Sequence, residues 1–297
     1  MGDIAGAGAV SKAVADVINH AADKIENACG WLATPKGASK DKLIAKETFI
    51  HDIQNNPNLT PLQKAAFISE SKKIIRQYKN QNDIYHLAME QLSEEAKPDK
   101  VDVDWISQFF DAAKHVSQED LKVIWAKLLA NECQLPGSVP KMLIHTLSCL
   151  DTRLAKAFNI VCNCSVALVT PSGVYDPDYK YPIAIIDWQK SDKFYKSLGL
   201  NYNDLSDLNS YGLIELNIAD YRLTKKDFIV GYCDAFYKIE NRSENKSEIK
   251  TGQVHLTNLG KSLFRVIKQE KVPNFITEIQ KYFERNNTEI NKLDIQY

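Results

Sequence analysis

Residues Val101–Cys133, VDVDWISQFFDAAKHVSQEDLKVIWAKLLANEC, carry the densest aromatic and apolar patterning of the chain. The spacing predicts two helices joined by a short break. Trp105, Ile106, Phe109, Phe110 and Ala113 fall on one face of the first. Leu121, Ile124, Trp125, Leu128 and Leu129 recur at helical spacing in the second. Ser117 followed by Asp120 predicts a capping box with Asp in place of the usual Glu or Gln. The gathering of two tryptophans and two adjacent phenylalanines puts the main core here, with Trp105, Phe109, Trp125, Leu128 and Leu129 as its structural residues. These side chains bring no recognisable chemistry.

Upstream, Thr60-Pro61-Leu62-Gln63 is a helix start: Thr60 caps, Pro61 suits the first turn and Gln63 completes a capping box. No breaker follows until Pro98, so the helix is expected to run about 35 residues, long for a globular domain. It also has a heptad reading. Ile68, Ile75, Asn82 and Met89 share one seam position; Ser71, Tyr78, Tyr85 and Leu92 share the other. Asn82 resembles the buried polar residue that fixes register in coiled coils. Self-association through Ile68, Ile75, Tyr78, Asn82, Tyr85 and Met89 is one expectation; a long helix lying against the body is its equal rival. Lys72, Lys73 and Arg76 on the same helix are alternative nucleic-acid contacts, although such clusters are more often a solvated face. Before this helix, Val10, Val14, Val17, Ala21, Ile25, Ala28 and Leu32 mark one face of an N-terminal helix. Its polar face is mixed in sign, so packing on the body or on a second copy is favoured over a membrane surface. Thr34–Lys40 reads as a loop, and Leu43, Ile44, Ile50 and Ile53 mark a short helix.

Downstream, Leu135–Pro140 breaks the chain, and helices follow with Leu143, Ile144 and Leu147, then with Leu154, Phe158 and Val161 behind an Asp151 or Thr152 cap. Val166–Val169 and Tyr181–Ile186 then read as strands. A short helix ending at Gly199, a second capped by Asn203, a strand at Leu213–Leu216, extended chain at Phe228–Ile239, a strand at Val254–Leu256 and a helix capped by Thr257 fit a winged-helix-like module. The expected class is mainly α, with long N-terminal helices, a central helical domain and a C-terminal α+β winged-helix-like module. The expected divisions are 1–98, 99–165, 166–272 and a C-terminal helix and tail over 273–297.

The chain has 297 residues and a net charge of -1, which argues neither for nor against nucleic acid. The sequence contains no bilayer-length apolar run and no secretory leader, so a cytoplasmic protein with reduced, buried thiols is expected. Cys162-Asn163-Cys164 has no second ligand pair, so no metal is assigned. Gly2, Gly6 and Gly8 lack the preceding strand that a phosphate loop needs. No nucleophile elbow or dinucleotide fingerprint occurs, the six histidines are scattered, and Asp187 with Lys190 is too common a pairing to name a nuclease. No catalytic residue and no cofactor is assigned.

DWISQFF (Asp104–Phe110), VSQEDLKVIWAKLLANE (Val116–Glu132) and PGSVPKMLIHTLSCLD (Pro136–Asp151) together resemble an uncharacterised bacterial family, the domain of unknown function 2806. Gly199–Leu216 and Val254–Phe264 also resemble its C-terminal part. The central helices are similar to those of the abortive-infection alpha proteins, which implies a role in phage defence. Neither resemblance brings catalytic residues. The leading expectation is a non-enzymatic protein acting through contacts with partner proteins of unknown identity and with itself. One alternative is a nucleic-acid-binding regulator using Lys225 and Lys226 near the presumed wing. The aspartates of the presumed recognition helix, Asn203–Tyr211, oppose it. The other is a membrane-acting effector using the N-terminal helix. Neither nucleic acid nor membrane is the favoured partner.

Overall fold

A computed structural model describes residues 11–30, 49–169, 181–217, 219–242 and 248–293. The sequence readings at Gly2, Gly6, Gly8, Val10, Leu32, Thr34–Lys40, Leu43, Ile44 and the turn before Tyr181 lie outside the described residues. The chain is mainly helical with small antiparallel sheets. It divides into two compact units, Met1–Ser148 and Cys149–Tyr297.

The first unit holds α1 (Lys12–Cys29), α2 (Pro61–Met89), α3 (Val103–Ala113), α4 (Glu119–Gln134) and α5 (Lys141–Cys149), with residues 49–55 also helical. Local signals start these helices. Asp102 accepts from Trp105 N at 2.7 Å, and Ser11 accepts from Val14 N at 3.3 Å. The expected Ser117 cap is not used. α4 begins after Gln118, which makes no side-chain cap, and the carboxylates of Glu119 and Asp120 sit in its first turn, where the helix dipole favours them. α2 is shorter than expected, 29 residues ending at Met89. The chain turns there because Leu92 and Ala96 bury themselves and Lys97 N donates to Cys133 O at 2.7 Å on α4.

The aromatic core sits where the sequence places it. Trp105 stacks on Phe109 with ring centroids 5.0 Å apart, and Phe109 meets Trp125 at 5.1 Å. Leu128 and Leu129 are fully buried beside them. The apolar face of α1 packs on α3, with Ala21 and Ile25 buried.

The second unit opens with α6 (Thr152–Asn163), capped by Asp151, which accepts from Leu154 N at 2.7 Å. Strands β1 (Ser165–Val169) and β2 (Tyr181–Ala184) pair antiparallel, followed by α7 (Trp188–Ser197), α8 (Tyr202–Ser210) and β3 (Ile214–Leu216). The cap of α8 is Asn201, not Asn203: Asp204 reaches back and accepts from Asn201 N at 2.9 Å. Then come β4 (Arg222–Leu223), β5 (Asp227–Tyr232), β6 (Ala235–Asn241), β7 (Ile249–Lys250), β8 (Val254–Leu256), α9 (Asn258–Phe264) and α10 (Phe275–Arg285). Thr257 caps α9 by accepting from Gly260 N at 3.0 Å. Only glycine suits position 260, since a Cβ would lie 2.0 Å from Leu213 O.

β3 pairs with β8, and β4 with β7. The β5–β6 hairpin joins a five-stranded sheet of order β2-β1-β5-β6-β9. Its last member, β9 (Thr288–Leu293), lies in the stretch read as a tail. After α10, Asn287 turns the chain at φ 55, and the strand then lies along β6 with Ile290 opposite Ile239.

Candidate protein-contact surface

α2 is one helix with two environments. At its start, Thr60 Oγ1 accepts from Gln63 N at 3.3 Å and Gln63 Oε1 accepts from Thr60 N at 2.9 Å, the reciprocal box the sequence predicts. From Pro61 to Lys79 no side chain is buried. Leu62 is 80 % exposed, Phe67 51 % and Ile74 55 %; Ile68, Ser71, Ile75 and Tyr78 are half-buried. From Asn80 onward the helix sinks into the unit, and Asn80, Asn82, Ile84, Tyr85, Ala88 and Met89 are buried.

Polar anchors fix that second half. Asn80 Nδ2 donates to Lys114 O at 3.0 Å and Gln81 Nε2 donates to Phe110 O at 2.9 Å, satisfying carbonyls near the C-terminal end of α3. Lys122 on α4, 3 % exposed, pairs with Asp83 at 2.7 Å and Glu119 at 2.9 Å. Burial pushes the Lys122 ammonium down, but the two carboxylates outweigh it and hold it above its ordinary range.

The six seam residues named from the sequence are thus divided. Asn82, Tyr85 and Met89 are occupied within their own unit; Ile68, Ile75 and Tyr78 remain accessible. Sequence reasoning missed Leu62, Phe67 and Ile74. The signal was present: the doublets Phe67-Ile68 and Ile74-Ile75 recur seven residues apart. Lys72, Lys73 and Arg76 are exposed. Lys73 pairs with Glu70 at 3.2 Å, while Lys72 and Arg76 make no ion pair among the described residues.

The motif that carries the family resemblance builds a clasp. Glu132, 2 % exposed, receives Gly137 N at 2.6 Å and Val139 N at 2.8 Å. Trp105 Nε1 donates to Val139 O at 2.8 Å. The Pro-Gly-Ser break is thereby tied to both central helices. Burial outweighs the two N–H donors and holds the Glu132 carboxyl above the usual range.

The remaining candidates are dispersed. Lys225 and Lys226 are exposed in the turn between β4 and β5. On α8, Asp204 and Asp207 both pair with Arg153 of α6, the latter at 2.7 Å. Asp187 is held by Arg285 at 3.0 Å, and among the described residues no group of three or more His, Cys, Asp or Glu could hold a metal ion. None of the six cysteines is in a disulfide. Burial pushes the Cys133 and Cys164 thiols up to about 12, and Cys162 rises too. The expectation of buried thiols fails at Cys149 and Cys233, which are exposed; Cys233 sits at the tip of the β5–β6 turn with φ 51. No helix of the described residues is long and apolar enough to cross a membrane.

The family model described as "Protein of unknown function (DUF2806)" matches residues 68–280, and the chain belongs to that family. The match begins inside α2 and extends beyond both ends of the segments, Asp104 to Phe264, that carry the resemblance read from the sequence. No curated protein and no solved structure matches the chain.

Proposed function

We propose that this chain is a non-enzymatic protein that acts through protein–protein contacts, and that the first half of α2 is its contact surface. The observation that carries this reading is a bare apolar stripe: Phe67 and Ile74, seven apart on one face, stand exposed on a helix whose second half is buried, and Leu62 is exposed on another face. Large side chains repeated along one solvent-facing helix are an unfavourable way to spend surface unless a partner covers them. The setting we propose is phage defence, on the resemblance to the abortive-infection alpha proteins read from the sequence of the central helices. The winged-helix-like segment of the second unit serves packing or protein contacts in this reading. Its α8 has no Lys or Arg, and Arg153 already engages its aspartates. The apolar face of α1 is engaged with α3, which weighs against membrane insertion.

The test is affinity capture from infected and uninfected cells with the wild-type chain and a Phe67→Glu, Ile74→Glu variant. Partners retained by the wild type and lost by the variant are expected. Identical partner sets would sink the reading.

A further inference from the structure

We propose that the first half of α2 docks an acidic amphipathic helix of a partner protein, laid along Phe67, Ile68, Ile74 and Ile75 with its carboxylates against Lys72 and Lys79. This rests on reading that half as a protein-contact surface and names the chemistry of what it takes.

The shape of the site comes from helical geometry. At 100° per residue, Phe67 and Ile74 stand on one side of a seam, Ile68 and Ile75 on the other, and Ser71 lies between them. A seven-residue repeat of apolar doublets is what a second helix running alongside requires. Ser71 is small and donates to its own Phe67 carbonyl at 2.7 Å, so it puts no unsatisfied hydroxyl into the seam.

Charge decides the occupant. Between Pro61 and Lys79 stand Lys64, Lys72, Lys73, Arg76 and Lys79 against the single carboxylate of Glu70. Lys72 and Lys79, seven apart, border the seam on the Ile68–Ile75 side, with Arg76 just beyond. Glu70 lies on the opposite side and is already paired with Lys73. A second copy placed antiparallel sets the lysine border against itself. A parallel copy sets Lys72 and Lys79 against Phe67 and Ile74. Neither arrangement supplies a carboxylate, and like charges brought face to face select against that partner. A flat anionic membrane touches both borders of a helix equally, and only one border here is basic. An acidic helix with its own apolar stripe satisfies the seam and the lysine border together, the usual logic of helix-in-groove recognition.

The experiment uses the full chain and a fluorescein-labelled synthetic helical peptide of about three heptads, with leucine at seam positions and glutamate at both borders. A second peptide replaces every glutamate with lysine. Anisotropy is expected to report binding of the glutamate peptide alone, weakened about tenfold or more by raising the salt to about 0.5 M. Ile74→Ser should abolish it. Lys72→Glu with Lys79→Glu should transfer the preference to the lysine peptide. Circular dichroism and melting of each variant check that the fold is retained. Absence of glutamate-peptide binding, or binding indifferent to the lysine reversal, would overturn the proposal. So would a dimer in sedimentation that Ile74→Ser disperses, or uptake by phosphatidylserine vesicles that the same variant loses, because the occupant would then be a second copy or a lipid surface. If cellular partners depend on Phe67 and Ile74 while the glutamate peptide does not bind, the contact surface stands and the acidic-helix assignment falls.

Discussion

The two halves of α2 carry one apolar stripe to opposite ends. In the second half the stripe continues through Tyr85 and Met89 and meets its own unit: Tyr85 is 3 % exposed, Met89 is 5 % exposed, and Asp83 reaches a buried lysine on α4. In the first half the same spacing continues over Phe67, Ile68, Ile74 and Ile75, where Phe67 and Ile74 stand exposed and Ile68 and Ile75 are half-buried. A heptad pattern states that something covers a seam. It does not state whether the cover is the same chain or another. The polar residues mark the difference: anchoring amides and an ion pair fill the buried half, whereas exposed lysines border the open one.

The comparison breaks most visibly at the platform under the buried half. Trp125 is 1 % exposed, lies on α4, and touches Phe109. Trp125→Ala should destabilise the first unit by about 3–5 kcal/mol, because the cavity left among Phe109, Leu128 and Leu129 cannot collapse onto smaller groups. Chemical denaturation measures this directly. A variant that unfolds like the wild type would mean that α4 does not support α2.

Ile84→Ala tests the buried half itself. Removing a fully buried isoleucine should cost about 2–5 kcal/mol. A cost under about 1 kcal/mol would place Ile84 with surface residues, whose substitutions typically stay within about 0.5 kcal/mol, and erase the distinction between the halves.

Much of this framework is legible from local sequence. Thr60 with Gln63, Asp151 and Thr257 act within three residues of themselves, and each cap lies where the spacing puts it. The aromatic core is legible because Trp105, Phe109 and Trp125 repeat on helical faces. What escapes depends on contacts distant along the chain. α2 stops at Met89 without Gly or Pro, since Leu92 and Ala96 turn in against the body. Glu132 closes on Gly137 and Val139 only because the break folds back over α4. β9 is short and polar, and β6 gives it its register. At the candidate surface, Ile68 and Ile75 are legible from the heptad, whereas the exposure of Phe67 and Ile74 depends on where the body ends.

Asn82→Leu sharpens the comparison at the boundary. Asn82 is 7 % exposed, and its Oδ1 is buried without a hydrogen-bond partner among the described residues. An unsatisfied buried acceptor costs more than an apolar group of similar shape, so the substitution should raise stability by about 1 kcal/mol. Were Asn82 instead setting the register of a coiled coil between chains, the substitution would change oligomer size, which light scattering would detect.

The smallest expected effect is at Ile74, ten residues before Ile84 on the same helix. Ile74→Ser removes an apolar side chain that is 55 % exposed, so little transfer free energy is lost and no enclosed cavity forms. The serine lowers helix propensity only slightly. Stability of the purified chain should therefore stay within about 0.5 kcal/mol of the wild type. The same substitution should remove partner binding, because an exposed apolar anchor contributes to a complex and not to the free fold. Thermal melting and partner capture on one preparation separate the two quantities. A loss of more than about 2 kcal/mol would place Ile74 in the core, and the first half of α2 would then belong with the second.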